Sequence, residues 1–164
     1  NGMDPDTQLG PLTTQKRLEE IEELVEKTKE EGAKVLLGGK RPAGFNKGYF
    51  YEPTIISDVR AGMSLYREET FGPVSTIIPV KDTDEAIGVA NDSEFGLGAS
   101  LWTNDLTRGE HLARQIESGA VFINGMTVSD PRLPFGGIKR SGYGRELSHF
   151  GIREFTNIKS IWIA

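Results

Sequence analysis

The sequence predicts an α/β fold in which helices flank a parallel sheet, and three observations support this prediction. Between Val74 and Asn124, apolar β-branched runs alternate with amphipathic runs, and the joins between them are short. Such an alternation of strands and helices favours a parallel sheet with right-handed crossovers. Nearer the N-terminus, apolar residues recur at helical spacing against a face of Glu and Lys. The chain has 164 residues, 37% apolar and 26% charged, which is typical of a globular protein.

The N-terminal half of the chain is predicted to hold one helix and several extended runs. Residues 1–14 form a loop with Gly and Pro breakers, and Thr13 or Thr14 can cap the helix that follows. Gly32 suits a left-handed cap at the end of this helix. The apolar face of the helix consists of Leu18, Ile21, Leu24, Val25 and Thr28. The extended runs are Lys34 to Leu37, Tyr49 to Ile56 and Val74 to Val80.

The C-terminal half continues the alternation and then changes character. Its predicted elements are a helix after Asp82, a strand from Gly98 to Thr103, a helix after Asp105, a strand from Ala120 to Asn124 and a helical turn from Glu146 to Phe150. The segment from Gly125 to Arg145 is rich in glycine and has no clear period. Long loops in compact domains usually serve a function, and this one follows the carboxyl end of a predicted parallel strand, where such sheets bind ligands. Residues 155–163 alternate and predict a final strand.

Composition excludes several classes of function. The net charge is −5 with no basic block, which argues against nucleic acid, since phosphate binding needs clustered Lys and Arg. No apolar run approaches the length of a membrane helix. The chain has no cysteine, which excludes disulfides, thiolate catalysis and cysteine zinc sites within it. His111 and His149 are too few for a histidine-rich metal site. We therefore expect a protein without metal or membrane, compatible with the cytoplasm.

The run from Glu68 to Pro73 (Glu-Glu-Thr-Phe-Gly-Pro) is a candidate binding motif. Pro73 fixes φ and disfavours helix at Gly72, so the chain turns there and leaves extended. A carboxylate can accept hydrogen bonds from both hydroxyls of a vicinal diol, such as a nucleotide ribose. Gly72 removes a side chain beside Phe71, so that another ring could approach its face. The alternative is a solvated acidic turn followed by a core Phe.

This run resembles a signature of the NAD(P)-dependent aldehyde dehydrogenases. The run from Pro134 to Glu146 (PFGGIKRSGYGRE) is similar to the C-terminal signature of the same family, and NDSEFGLGAS (Asn91 to Ser100) and GAVFIN (Gly119 to Asn124) lie between them in the family's order. The resemblance begins near Gly10 and implies NAD or NADP as cofactor. The family's catalytic cysteine, general-base glutamate and glycine-containing dinucleotide loop are expected to precede this segment. We therefore expect a catalytically incomplete C-terminal piece, and the alternative is a free-standing binding or oligomerisation module derived from the family.

The resemblance also implies roles for individual residues. Glu69 would hold the hydroxyls of the nicotinamide ribose, Phe71 would pack near the nicotinamide ring, and Phe135 would line the aldehyde channel. No catalytic residue is expected in this chain. The glycines of the C-terminal signature would serve backbone conformation. Arg145 is either solvated or paired with Glu146.

Ahead of Phe135-Gly-Gly the loop carries the pattern Ser-Asp-x-Arg (residues 129–132), and Arg-Glu-Leu-Ser-His-Phe-Gly (residues 145–151) follows it. This pattern is similar to that of the succinate-semialdehyde dehydrogenase branch of the family. Ser129 supplies a hydroxyl donor and Arg132 a planar fork, which together fit a short aldehyde with a distal carboxylate. The alternative is that Asp130 and Arg132 pair with each other while Ser129 caps the turn.

The resemblance divides the chain into a catalytic-domain portion, residues 1–154, and a C-terminal oligomerisation strand, residues 155–164. In the family this strand joins an oligomerisation sheet, so the expected partners are an aldehyde substrate and further copies in a homodimer or homotetramer. The residues that separate NAD from NADP are expected outside this chain.

Overall fold

The computed structural model describes residues 2–45 and 47–164. Asn1, part of the predicted N-terminal loop, and Asn46 lie outside the described residues. The chain divides into two compact units, Asn1–Pro79 and Val80–Ala164.

The first unit packs helix α1 against a small mixed sheet. Its elements are α1 (Gln15–Glu30), β1 (Lys34–Leu37), β2 (Thr54–Ser57), α2 (Ser64–Arg67) and β3 (Val74–Ile77). The strand order is β1-β2-β3, with β1 antiparallel to β2 and β2 parallel to β3. The buried core of this unit consists of Leu18, Ile21, Val25, Ala33, Tyr51, Ile56, Val59 and Leu65. The helix contributes its predicted apolar face to this core, because Leu18, Ile21 and Val25 are each nearly inaccessible to solvent.

The predicted ends of α1 are confirmed. The Thr14 side chain accepts a hydrogen bond from the backbone N–H of Arg17, which satisfies one of the unpaired amides of the first turn. After the helix, Gly32 has φ of 106°, a left-handed conformation that glycine adopts without strain.

The second unit contains a parallel strand pair joined by a helix. Its elements are α3 (Thr83–Asn91), β4 (Phe95–Gly96), β5 (Gly98–Leu101), α4 (Leu106–Ala113), β6 (Ala120–Ile123), β7 (Ile138–Lys139) and α5 (Ser148–Glu154). Strands β5 and β6 are parallel, and α4 makes the crossover between them. Strands β4 and β7 pair antiparallel. Asp82 and Asp105 cap α3 and α4 as predicted, each accepting a bond from the amide three residues on.

The α/β prediction is confirmed, and the structure adds detail that the pattern did not contain. Within the part of the chain that the structure describes, the strands form three separate hydrogen-bonded sets, and β3 pairs with β2. Two of the pairings are parallel, while β1–β2 and β4–β7 are antiparallel.

The C-terminal segment differs from the prediction of a strand at residues 155–163. Helix α5 ends at Glu154, and residues 157–164 have no regular secondary structure. The reason is that a strand needs a neighbouring strand to pair with its backbone, and nothing in the described part of this chain pairs with these residues.

Candidate cofactor and substrate site

The predicted cofactor residues lie on one turn between α2 and β3, residues 68–73, which we call the cofactor turn. Glu69 is exposed, and its carboxylate makes no hydrogen bond or ion pair with any described residue. Phe71 is 73% exposed, so the alternative that it is a core residue is wrong. Its φ of 44° is unusual for an aromatic residue, and such conformations persist where the surrounding structure imposes them, often at ligand sites.

The end of the cofactor turn is fixed by Gly72 and Pro73. A Cβ on Gly72 would lie 2.3 Å from Cδ1 of Ile21, so the lack of a side chain lets the turn approach the buried face of α1. The carbonyl of Pro73 accepts a bond of 2.8 Å from the amide of Thr54, which continues the β2–β3 pairing. Gly72 therefore has a packing role here, in addition to the room for a ligand ring that the sequence suggested.

The predicted substrate residues lie on one loop between β6 and β7, residues 125–137, which we call the substrate loop. It leaves the sheet at Asn124, whose φ is 55°. The Asn124 side chain accepts from the amide of Thr103 and donates to its carbonyl, both at 2.8 Å. The side-chain amide of Asn124 thus takes the place of a strand residue in the β5–β6 pairing. The backbone turns outward at the same residue, and the loop begins there.

Arg132 pairs with Asp130 in this structure. The guanidinium donates through Nε at 2.9 Å and through Nη2 at 2.5 Å to the carboxylate, and the backbone amide of Arg132 donates to Oδ1 at 2.9 Å. These hydrogen bonds lower the pKa of Asp130 to about 2, so its charge persists down to that pH. The predicted alternative, in which Asp130 and Arg132 pair with each other, is therefore the arrangement found in the protein without ligand.

Two features of the loop remain compatible with a ligand. Arg132 is 86% exposed, and its Nη1 makes no hydrogen bond to the described residues. The Ser129 hydroxyl is exposed and likewise makes no bond within the described chain. The turn is stabilised by Asp130, whose carbonyl accepts from the amide of Leu133 at 2.9 Å, and not by Ser129.

Phe135 lies against a cavity of about 390 Å³ in the second unit. Its backbone exchanges two hydrogen bonds, of 2.9 and 2.8 Å, with Glu146. Arg145 also lines the cavity, and its Nη1 donates to the carbonyls of Gly137 and Gly144 at 2.7 and 2.8 Å. Arg145 thus binds the backbone of the C-terminal signature, which neither predicted alternative, solvation or pairing with Glu146, had anticipated.

Comparison with known proteins decides the family. The model of the aldehyde dehydrogenase family matches residues 1–161. The chain belongs to this family. It is 52% identical over 160 residues to the succinate-semialdehyde dehydrogenase (NADP(+)) 1 of Mycobacterium ulcerans, covering 98% of this chain and 34% of that protein. It is 51% identical over 160 residues, with the same coverage, to an aldehyde dehydrogenase of Paenarthrobacter nicotinovorans.

Solved structures of aldehyde dehydrogenases have the same fold. The succinic semialdehyde dehydrogenase of Streptococcus pyogenes, in complex with NADP+, superposes with a TM-score of 0.92 at 40% identity, covering 98% of this chain and 35% of that one. The aldehyde dehydrogenase of Bacillus cereus, in complex with NAD+, has a TM-score of 0.93 at 40% identity, covering 99% and 33%. The chain spans about a third of the length of the curated relatives it matches.

Within this aldehyde dehydrogenase chain, the two predicted sets of site residues belong to different units. Glu69 and Phe71 lie in the first unit, and Ser129, Arg132 and Phe135 lie in the second. Among the described residues, no group of three or more His, Asp or Glu side chains could hold a metal ion. No helix in the described ranges has the length and apolarity to cross a membrane.

Proposed function

We propose that this chain supplies the cofactor turn and the substrate loop of an enzyme that oxidises an aldehyde to its carboxylic acid with NAD+ or NADP+. The observation that supports this most is the 52% identity to a succinate-semialdehyde dehydrogenase over 98% of the chain. Because the chain has no cysteine, the thiolate that attacks the aldehyde must come from another segment of the enzyme. On this proposal the chain alone is inactive.

The residues of the cofactor turn fit a nicotinamide nucleotide. Bound there, the nicotinamide would take up the hydride that leaves the aldehyde carbon. The exposed, unpaired carboxylate of Glu69 can accept from both ribose hydroxyls, and the exposed ring of Phe71 offers an apolar face beside it. Fixing the ribose would hold the ring at the distance and angle that transfer requires, which is worth several kcal/mol of barrier.

The substrate we propose is succinate semialdehyde, whose distal carboxylate would meet Arg132 and Ser129. Asp130 occupies the side of the guanidinium that carries Nε, which orients the group and leaves Nη1 and the second proton of Nη2 for another anion. Arg132 can therefore bind a carboxylate substrate while it remains paired with Asp130, and the free Ser129 hydroxyl adds a donor on the same loop.

Replacing Arg132 by Leu and Ser129 by Ala in the complete enzyme is expected to reduce its preference for a charged substrate. The preference is the ratio of kcat/KM for succinate semialdehyde to that for butyraldehyde, which has the same chain length without the carboxylate. Losing the anion's partners should cost about 2–4 kcal/mol of discrimination. Arg114→Leu is the matched control, since Arg114 is also an exposed arginine paired with an acid, Glu110. An unchanged ratio in the double variant would show that these residues do not recognise the carboxylate.

The C-terminal segment, residues 155–164, is proposed to join subunits into a homodimer or homotetramer. Its large apolar side chains are exposed, namely Phe155, Ile158, Ile161, Trp162 and Ile163. An apolar segment with unpaired backbone groups favours pairing with another chain.

Deleting residues 157–164 is therefore expected to lower the oligomer mass of the enzyme, as measured by light scattering. Helix α5 ends before this deletion, so the second unit keeps its elements. A wild-type protein that remains monomeric at high concentration would contradict this proposal.

A further inference from the structure

Helix α2, which leads directly into the cofactor turn, is attached at its N-terminus to the end of α1. The carboxylate of Glu31, the residue after α1, accepts from the backbone amide of Ser64 and from its hydroxyl, each at 2.8 Å. Met63, at the N-cap position of α2, provides no side-chain capping bond to the helix. The backbone bond from Ser64 lowers the pKa of Glu31, so the carboxylate is charged at neutral pH. Glu31, although far from α2 along the chain, thus provides the N-terminal capping bonds that the residues next to this short helix do not supply.

A second contact holds α2 beside α1. Thr28 is fully buried, and its hydroxyl donates to the carbonyl of Leu24 at 2.8 Å. The same hydroxyl accepts from the amide of Leu65 at 3.3 Å. Ser64 and Leu65 are themselves 7% exposed, so the first residues of α2 are fixed in a site from which water is largely excluded.

Helix α1 therefore supports both ends of the cofactor turn. At the start, the amide of Glu68 donates to the carbonyl of Ser64 at 3.0 Å, which connects the capped residue to the turn. At the end, Gly72 packs on Ile21, two helical turns before Thr28 on the same face. Glu69 and Phe71 lie between these two attachments, so the positions of both residues depend on them.

We propose that Glu31 is a positioning residue for the cofactor turn: by holding α2 against α1, it sets the place from which Glu69 reaches the ribose of the cofactor. This inference rests on the proposed function of Glu69. Glu31 is one of many acids on and around α1, and what separates it from the others is its pair of contacts with a residue 33 positions away.

The test uses the complete enzyme, with the KM for NAD(P)+, the KM for aldehyde and kcat measured for Glu31→Ala, Glu31→Gln and the control Glu30→Ala. Glu31→Ala is expected to raise the cofactor KM roughly fivefold to tenfold while the aldehyde KM stays unchanged. Glu31→Gln keeps one acceptor oxygen and should give a smaller rise. Glu30→Ala removes the same charge one residue earlier, at an exposed position, and should behave as wild type. If Glu31→Ala unfolds the protein, the comparison of Glu31→Gln with Glu30→Gln takes its place.

A double variant separates positioning from general destabilisation. In a Glu69→Gln background, Glu31→Ala should raise the cofactor KM by less than about twofold, because the group it positions is already lost. If the two substitutions raise the cofactor KM by independent factors that multiply in the double variant, the inference is overturned. If Glu69→Gln alone leaves both the cofactor KM and the single-turnover rate unchanged, the proposed role of Glu69 fails and this inference fails with it. If Glu69→Gln has its effect but Glu31→Ala matches Glu30→Ala, only the inference about Glu31 is wrong.

Discussion

Replacing Glu69 by Gln in the complete enzyme is expected to slow hydride transfer by at least about tenfold, because each charge-assisted hydrogen bond to the ribose is worth roughly 1.5–3 kcal/mol. The amide keeps the shape of the carboxylate but replaces one acceptor oxygen with a donor, so it cannot accept from both hydroxyls. The measurement is the single-turnover rate of reduced-cofactor formation, together with cofactor affinity.

Folding should be almost unaffected by Glu69→Gln, since the side chain is exposed and has no partner among the described residues. Glu68→Gln is the control, because Glu68 is an exposed acid one position earlier on the same turn. An unchanged single-turnover rate and affinity in Glu69→Gln would contradict the role of Glu69. Equal losses in both variants would indicate a general effect of charge on the turn.

Gly119→Ala is expected to cause the largest loss of stability in the second unit. A Cβ at this position would lie 1.6 Å from the carbonyl oxygen of Gly136 and 2.7 Å from its carbon. Both are backbone atoms of the substrate loop, so no side-chain rotation can relieve the overlap. Gly119 cannot move away easily either, because its amide donates to the carbonyl of Gly96 at 3.0 Å. The free energy of unfolding should fall by about 3 kcal/mol or more.

Gly88→Ala is the matched control for Gly119→Ala. Gly88 lies within α3, and a Cβ there would have no heavy atom within 4 Å. Alanine has the better helix propensity, so this change should stabilise by roughly 0.5–1 kcal/mol. Thermal or denaturant unfolding measures both variants. If Gly119→Ala has the same free energy of unfolding as the wild type, the close approach of the Gly119 and Gly136 backbones is wrong. In that case this contact does not support the position of Phe135 either.

The elements that the sequence predicted well are those whose cause is local. Helix α1 follows from the spacing of Leu18, Ile21 and Val25 together with the capping hydroxyl of Thr14, all within one stretch of chain. The β5–α4–β6 unit follows from the alternation of apolar runs around Asp105. In the same way, the glycines of the C-terminal signature were predicted to serve the backbone. Gly136 and Gly137 meet other backbone or side-chain atoms closely, and Gly142 has φ of 123°. Nothing in the structure explains Gly144.

The features that the sequence could not predict depend on distant contacts. The sequence suggests room for a ligand ring at Gly72, whereas a Cβ there would meet Ile21, on a helix far earlier in the chain. The sequence does not point to Glu31, because its contacts with Ser64 form only when the fold brings the two residues together. The pairing of Asp130 with Arg132 is local, but spacing alone could not decide between a mutual pair and a substrate contact. The strand predicted at residues 155–163 lacks a partner, which no pattern within the segment reveals.

We propose that this chain provides cofactor and substrate contacts of an aldehyde dehydrogenase but not its nucleophile. The most direct measurement follows reduced-cofactor absorbance with succinate semialdehyde and NAD+ or NADP+, for the 164-residue chain alone and for the polypeptide in which it is joined to a cysteine-bearing segment. We expect turnover by the complete polypeptide and none above a buffer blank by the chain alone. Turnover by the cysteine-free chain would contradict this proposal, and an inactive complete polypeptide would instead favour a non-catalytic module derived from the family.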